Sequence, residues 1–469
     1  MIFANLLFLY LFLPLNLLLY FLFKSVVYRN IVLIVFSFLF YAWGEPVWFL
    51  LLLFTAMIDY VHGQLIGRYR GTWIAHAALI SSLVVNLGIL VTFKYSGFFI
   101  GNLNAIFGTA LPVPTFSLPI GISFYTFQTI SYVVDVYHGE VEPQDNPFWY
   151  LLYLSMYHQL VAGPVVRYAD INREICGRRV SAAEFSEGLS RFMFGLAKKV
   201  LIANVAGEFA IEYMEGNLAR LSVGGAWFGA IMFSLQIYYD FSGYSDMAIG
   251  LGRIFGFHYK ENFNYPYAAT SVTDFWRRWH ISLGSFFRDY VYIPLGGNRR
   301  HQYFNLVIVW FLTGFWHGAS WNFILWGLYF GLFLLLEKRF FLHKLEQLPR
   351  AVGHIYLLFV AVVSWVIFYF TDLGRLGTYL KIMFGLSGRP IWDSRIGVVV
   401  MNNIFWMLIA LVFCMPLVRL FQRFVAQGLG DKQVLVLRCC QVPLNFTLLL
   451  LCTAKLVGQS YNPFLYYRF

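Results

Sequence analysis

A chain of 469 residues that is 59% hydrophobic, 12% charged and one-fifth aromatic lies far from the composition of soluble proteins. With a mean hydropathy of +0.65, it reads as a polytopic integral membrane protein. The formal charge of +11 is what Lys- and Arg-rich cytoplasmic loops produce under the positive-inside rule, so nucleic acid is not an expected partner.

A spanning helix needs about 20 mostly apolar residues. Such stretches fall near 3–23, 31–58, 75–93, 117–134, 147–163, 190–214, 224–257, 303–336, 353–370, 397–421 and 433–459. They predict an all-α protein with roughly ten to twelve transmembrane helices plus re-entrant or interfacial ones. The first basic residue, Lys24, follows the opening apolar run instead of preceding it; no secretory signal is expected, and 1–23 should remain a helix. Gly44-Glu45-Pro46 interrupts 31–58, leaving halves too short to span alone, so a kinked helix and a re-entrant pair are both open. The stretch 117–134 contains Pro119 and Gly121 near its start and is equally open. No repeat or soluble segment divides the chain, which reads as one membrane domain, 1–469.

The five cysteines, Cys176, Cys414, Cys439, Cys440 and Cys452, have no Cys-x-x-Cys spacing, so neither a metal centre nor a disulfide framework is expected. Basic residues cluster twice: Arg167, Arg173, Arg178, Arg179, Arg191, Lys198 and Lys199, then Arg277, Arg278, Arg288, Arg299 and Arg300. Both groups are expected to face the cytoplasm and to offer a dock for an anionic donor or carrier.

The interval 260–300 mixes aromatic and basic side chains, the composition favoured at a membrane–water interface. It suggests an amphipathic interfacial helix beginning near Asp274 and stopping before Gly296-Gly297-Asn298. Asp240 and Asp246 lie in the apolar segment 224–257, where ionisable groups must face the interior and find partners. Six residues apart, they do not share a helical face, and a polar network with Tyr238, Tyr239, Ser242 and Ser245 is the better reading. "GLGRIFG" (250–256) lacks the flanking strand of a nucleotide-binding unit and is not read as one.

In "FLTGFWHGASWN" (311–322) an imidazole, His317, stands inside an apolar run. If the run is one helix, Gly314 and Gly318 form a small-xxx-small pair, and Thr313, His317 and Trp321 share a face. His317 is then either a packed histidine bonded across helices or a buried general base; the local sequence leaves both open.

"DFWRRWHISL" (274–283), followed 37 residues after His280 by Trp316-His317-Gly318, resembles the membrane-bound O-acyltransferase family. "LPIGISFYTFQTISYVVDVY" (118–137), "LVAGPVVRY" (160–168), "YYDFSGYSDMAIGLG" (238–252), "ENFNYPY" (261–267), "FRDYVYIPLGGNR" (287–299) and "SYNPFLYYRF" (460–469) are similar to its bacterial polysaccharide branch, over nearly the whole chain. The resemblance implies a ring of tilted helices around a thinned centre with a tunnel joining the two membrane faces. It makes His317 the candidate base and His280 the second polar position, which in the family is His or Asn. Trp316, Asn322 and Asp246 would shape or polarise the cavity, and Arg277 and Arg278 would meet an anionic donor.

The implied activity is acetyl transfer from a cytoplasmic thioester, acetyl-CoA or another acyl carrier, for O-acetylation of an exported alginate- or cellulose-like polysaccharide. No permanently bound cofactor is implied. The implied setting is the bacterial inner membrane, with a periplasmic SGNH-type acetyltransferase as partner. D-alanyl transfer to teichoic acid is the alternative within the family. Outside it stand a transporter using Glu45, Asp240, Asp246 and His317, against which the absence of repeated halves counts, and a non-catalytic scaffold. No Gly-x-Ser-x-Gly nucleophile elbow is present.

Overall fold

The computed structural model describes residues 2–161, 163–417, 420, 431–458 and 465. Among them the regular structure is helical, with no strand. Among the described residues six helices are long and apolar enough to cross a membrane: Val26–Gly44, Phe49–Arg68, Trp73–Phe107, Arg350–Tyr369, Ser394–Phe413 and Cys439–Gly458. The chain forms two compact units, Met1–Phe192 with Tyr244–Glu261, and Met193–Gly243 with Asn262–Phe469.

In the first unit the opening run is helical over Phe8–Leu22, as its composition predicts. The run 31–58 is not one kinked helix, and its two halves are not too short to span. It belongs to two candidate spans, α1 (Val26–Gly44) and α2 (Phe49–Arg68). Polar residues made both look short: Arg29, Asn30 and Asp59 are buried inside these helices. Asp59 accepts from Ser82 Oγ at 2.5 Å and Asn86 Nδ2 at 2.9 Å, both on α3 (Trp73–Leu90), which removes the cost of a bare carboxylate in an apolar surround. The ambiguous stretch after Pro119 becomes α4 (Ile122–His138), entered through Gly121 at φ 78°, a conformation that costs glycine little. Nearly all of α4 is buried, packed on α2 and α3.

The first basic cluster divides: Arg173 and Arg179 are exposed, whereas Arg178, Arg191 and Lys199 are committed to internal partners. Beyond α5 (Pro147–Ser155), Arg178 is buried and donates to Asn30 Oδ1 at 2.6 Å and the Phe255 carbonyl at 3.0 Å. Arg191, on α6 (Ala182–Ala197), pairs with Asp246 at 2.9 Å and Glu261 at 2.5 Å. Ser181 and Glu184 cap α6 reciprocally, at 2.8 and 3.2 Å. The hydrogen bonds that the Glu184 carboxylate accepts from Ser181 N and Ser181 Oγ hold it below the usual carboxylate range.

The long α7 (Val223–Ile254) contributes to both units. In the second unit its Asp240 meets Lys199 at 2.6 Å, both buried. Asp240 and Asp246 therefore have separate partners, as their spacing implied, but each is matched by a cation instead of the hydroxyl network suggested from sequence: Tyr239 donates to the Ala410 carbonyl at 2.5 Å, and the Ser242 and Ser245 hydroxyls have no hydrogen-bond partner among the described residues. Lys199 accordingly serves the interior and not a cytoplasmic dock.

Also in the second unit, the interval 260–300 does not hold one interfacial helix. It contains α8 (Val272–Trp276) and α9 (Ile281–Phe287), interrupted at His280, whose φ is 45°. Asp274 lies in the first turn of α8, and Ser271 is the N-cap. Gly296 and Gly297 have positive φ and form the expected turn. The run 303–336 is not one span but a helical hairpin, α10 (Gln302–His317) and α11 (Trp321–Leu336), of 16 residues each. At 1.5 Å per residue α10 is about 24 Å long, short of the ~30 Å hydrocarbon core, whereas α11 runs on without a break into the helical turn Glu337–Phe341. Gly314 does permit a close approach, but to α11: an added Cβ would lie 2.3 Å from the Phe323 carbonyl oxygen and 3.1 Å from Gly327 Cα. Gly318 falls outside the helix, so the expected Gly314–Gly318 pair and the Thr313–His317–Trp321 face do not form. The unit continues through α12 (Arg350–Tyr369), α13 (Ser394–Phe413) and α14 (Asp431–Gly458). All five cysteines are free. The motif 460–469 lies outside the described residues except for Leu465, whose N–H donates to Asp240 at 2.9 Å.

Candidate active site

His317 ends α10 because Gly318 turns the chain into extended backbone. On the returning arm, the first turn of α11 carries Asn322, fully buried. Its Nδ2 donates to the carbonyls of Ile367 (3.3 Å) and Phe368 (2.9 Å), carbonyls that a helix end leaves unsatisfied. This fixes the end of α12 and with it the Phe368 ring, 5.3 Å from the His317 ring and edge-on to it. Trp316 and Trp326 stand edge-on at 4.9 Å each. His317 is thus 8% exposed inside an aromatic enclosure. Asn322 supports that enclosure through Phe368.

His280 occupies the left-handed region that non-glycine residues rarely adopt. Its flanks enforce the conformation. Asn262 accepts from Ile281 N at 2.9 Å through its carbonyl and from Ser282 Oγ at 2.8 Å through Oδ1. Asn264 N donates to the Arg278 carbonyl at 2.9 Å. The buried His280 ring contacts Phe263 at 6.1 Å and Trp316, edge-on, at 6.3 Å. Trp316 therefore touches both histidines. Burial pushes the His280 pKa well below the usual 6.5, so the ring stays neutral, with one nitrogen donating and one accepting. Its Nδ1 has no partner among the described residues.

A cavity of about 380 Å³ opens beside His280 and is lined also by Thr273, Trp276, Arg277, Trp310 and Thr313. Arg277 is exposed. Arg278 turns instead to Asp274, at 2.9 Å one helical turn back. The two arginines paired by sequence thus separate into one that lines the cavity and one that staples its wall. His317 is not on the lining; Trp316 stands between it and His280. The structure brings together His317, His280, Trp316, Asn322 and Arg277. Asp246, grouped with them from sequence, lies in the first unit, where Arg191 takes its carboxylate.

Sequence reasoning missed Glu337. Its carboxylate, 1% exposed, accepts from Val272 N at 2.6 Å, Thr273 N at 2.8 Å and Thr273 Oγ1 at 2.6 Å. The signal was a carboxylate directly after the apolar run that ends at Leu336. Among the described residues no three His, Cys, Asp or Glu side chains are grouped to hold a metal ion.

Comparison with known proteins decides the family. The pattern of MBOAT, the membrane-bound O-acyltransferase family, matches residues 144–377, which contain both histidines. A "Probable alginate O-acetylase" of Azotobacter vinelandii is 37% identical, with all of this chain and all of that protein covered. This chain belongs to the membrane-bound O-acyltransferase family. A peptidoglycan O-acetyltransferase of Helicobacter pylori is 33% identical, covering 83% of this chain and 80% of its own. A teichoic acid D-alanyltransferase of Bacillus subtilis is 26% identical over 45% of this chain and 56% of its own. The protein is a multi-pass membrane acyltransferase, all-α in its described residues.

Proposed function

We propose that the protein transfers an acetyl group from a cytoplasmic thioester, acetyl-CoA or another acyl carrier, for O-acetylation of an exported polysaccharide of alginate or cellulose type. The observation that carries this reading is the pair of buried histidines on either side of Trp316, one with a ring nitrogen uncommitted at the wall of a cavity that also carries Arg277. O-acetylating relatives cover 80% or more of both chains, whereas the D-alanylating one covers about half, which favours acetyl over D-alanyl.

In this reading His317 takes the proton of an acceptor hydroxyl as its oxygen attacks the thioester carbonyl. The tetrahedral adduct collapses, the C–S bond breaks, and the leaving thiolate receives that proton, so no net proton is consumed. His280 donates from one ring nitrogen to the developing oxyanion or positions the thioester. Arg277 meets the donor's anionic part. Trp316 and the Phe368 wall braced by Asn322 keep water from the reacting atoms.

The setting we infer is one membrane domain over 1–469, with ten to twelve passes around a central tunnel in a bacterial inner membrane. The final transfer uses a periplasmic SGNH-type acetyltransferase, and the hydroxyl at His317 is then a serine of that partner or a sugar. The test supplies protein in nanodiscs with acetyl-labelled acetyl-CoA, the partner and polymer. Label should appear as ester on partner or polymer; label left wholly on the donor overturns the reading.

A further inference from the structure

We propose that Glu337 is a positioning residue for the donor cavity, holding the cavity wall through α8 without touching donor or acceptor. It rests on the acetyl-transfer reading for its kinetic consequence, but the contact itself is structural. Helix α8 has only five residues, too few to be stable through its own hydrogen bonds. Its first turn carries Thr273, its last residue is Trp276, and Arg277 follows; all three line the cavity. What fixes its start is external: a single buried carboxylate takes two successive backbone N–H groups and the Thr273 hydroxyl. Ser271 Oγ takes a third N–H, that of Asp274, at 3.0 Å.

The carboxylate comes from the residue directly after α11. At the other end of α11 sits Asn322, which braces the wall against His317. Between them Trp326 packs on both sides: 4.9 Å from the His317 ring and 5.7 Å from Trp276. One helix, about 24 Å long, thus holds the reacting histidine near its start and the cavity wall at its end. His280 is secured separately by Asn262 and Asn264. Loosening Glu337 should therefore move Thr273, Trp276 and Arg277 while leaving both histidines in place. The consequence is a donor KM effect with little change in kcat.

The test compares wild type, Glu337→Gln and Glu337→Asp in nanodiscs by hydrogen exchange and donor kinetics. Gln keeps the shape, loses the charge and puts an NH2 group against the N–H groups; Asp keeps the charge but shortens the reach, and serves in place of Gln if that variant does not fold. For Glu337→Gln we expect exchange of the Val272 and Thr273 amides to rise at least tenfold with the end of α10 unchanged. Donor KM should rise about tenfold and kcat stay within about twofold, with Glu337→Asp showing the same pattern at smaller amplitude. Unchanged exchange at 272–273 overturns the latch. Raised exchange with an unchanged KM per folded molecule overturns its link to the cavity. A wild type that never uses the donor defeats the acetyl-transfer reading, while exchange still decides the latch.

Discussion

In the first unit, the apolar run 31–58 breaks at Gly44-Glu45-Pro46 into helices of 19 and 20 residues; in the second, the run 303–336 breaks at Gly318 into arms of 16. From sequence the first read as an interrupted stretch and the second as a single one. The first pair can cross a membrane because each helix extends through polar residues with internal partners, Asp59 with Ser82 and Asn86 among them. In the second pair the first arm is too short, and the two arms gain their closeness from glycine: Gly314 and Gly327 let the backbones meet. An interruption is therefore a connection when it only joins two long helices, and a site when the arms pack closely and the break places a functional group among them. His317 is placed at the second kind of break.

The sharpest way to test that assignment is His317→Ala. Transfer to partner or polymer should fall by about 10²–10⁴-fold, the usual contribution of a general base, while membrane insertion and the thermal midpoint stay near wild type. Normal acetylation by stably inserted protein would remove His317 from the chemistry. A collapse of stability together with activity would make it a packing histidine, the reading that the local sequence also allowed.

The close packing of the hairpin arms is tested at Gly314. A methyl group there would meet the Phe323 carbonyl and Gly327 Cα inside contact distance, so Gly314→Ala should destabilise by about 1–3 kcal/mol, the range for overpacking, and reduce transfer by displacing His317. Gly88, on α3 in the first unit, has nothing within 4 Å of an added Cβ, and Gly88→Ala should be neutral or slightly stabilising, since alanine favours the helix. Melting both variants in one detergent checks the contrast. Equal midpoints would mean that the hairpin arms are not tightly packed.

What the sequence made legible follows the same division. Membrane class and helical architecture were readable because composition and span length are local signals, and the spacing of "WRRWH" to "WHG" singled out the two histidines that Trp316 contacts. Partners were not. Nothing in sequence pairs Arg191 with Asp246 or Lys199 with Asp240, because helix periodicity shows which face a residue occupies and not which helix it meets. The same limit hid Glu337, whose hydrogen-bond partners are 64 and 65 residues away. The break at His280 was hidden too, because a positive φ at histidine is imposed by Asn262 and Asn264 and carries no glycine to announce it.

Separating the adjacent arginines sharpens the site from the cavity side. Arg277→Gln should raise donor KM about tenfold, in the range for losing a charge-assisted hydrogen bond, and wild-type donor affinity should weaken with salt more than the variant's does. Arg278→Gln should leave KM and its salt dependence unchanged and lower stability slightly, by the small amount of a half-exposed pair one turn apart. Labelled-donor binding at several salt concentrations checks both. Identical behaviour of the two variants would mean that both serve only to anchor the interface.

The smallest expected effect is that of His280→Asn. The amide of asparagine offers both a donor and an acceptor, as the neutral imidazole does, so if His280 positions or polarises the thioester, His280→Asn should keep most activity and His280→Ala should not. Equal inactivity of the two would instead make His280 a proton carrier. A second readout separates these roles by pH. Burial lowers the folded-state pKa of His280 below 6.5, so below about pH 6.5 the unfolded chain binds a proton that the folded one refuses. Stability must then fall as pH drops through that window, and the slope should flatten in His280→Asn, which cannot titrate. Above about pH 7 both states are neutral at this position, and the two proteins should have parallel stability profiles. A wild-type slope that persists in His280→Asn would assign the titration to other groups, leaving the asparagine activity as the measurement that decides whether position 280 needs a proton or only a polar side chain.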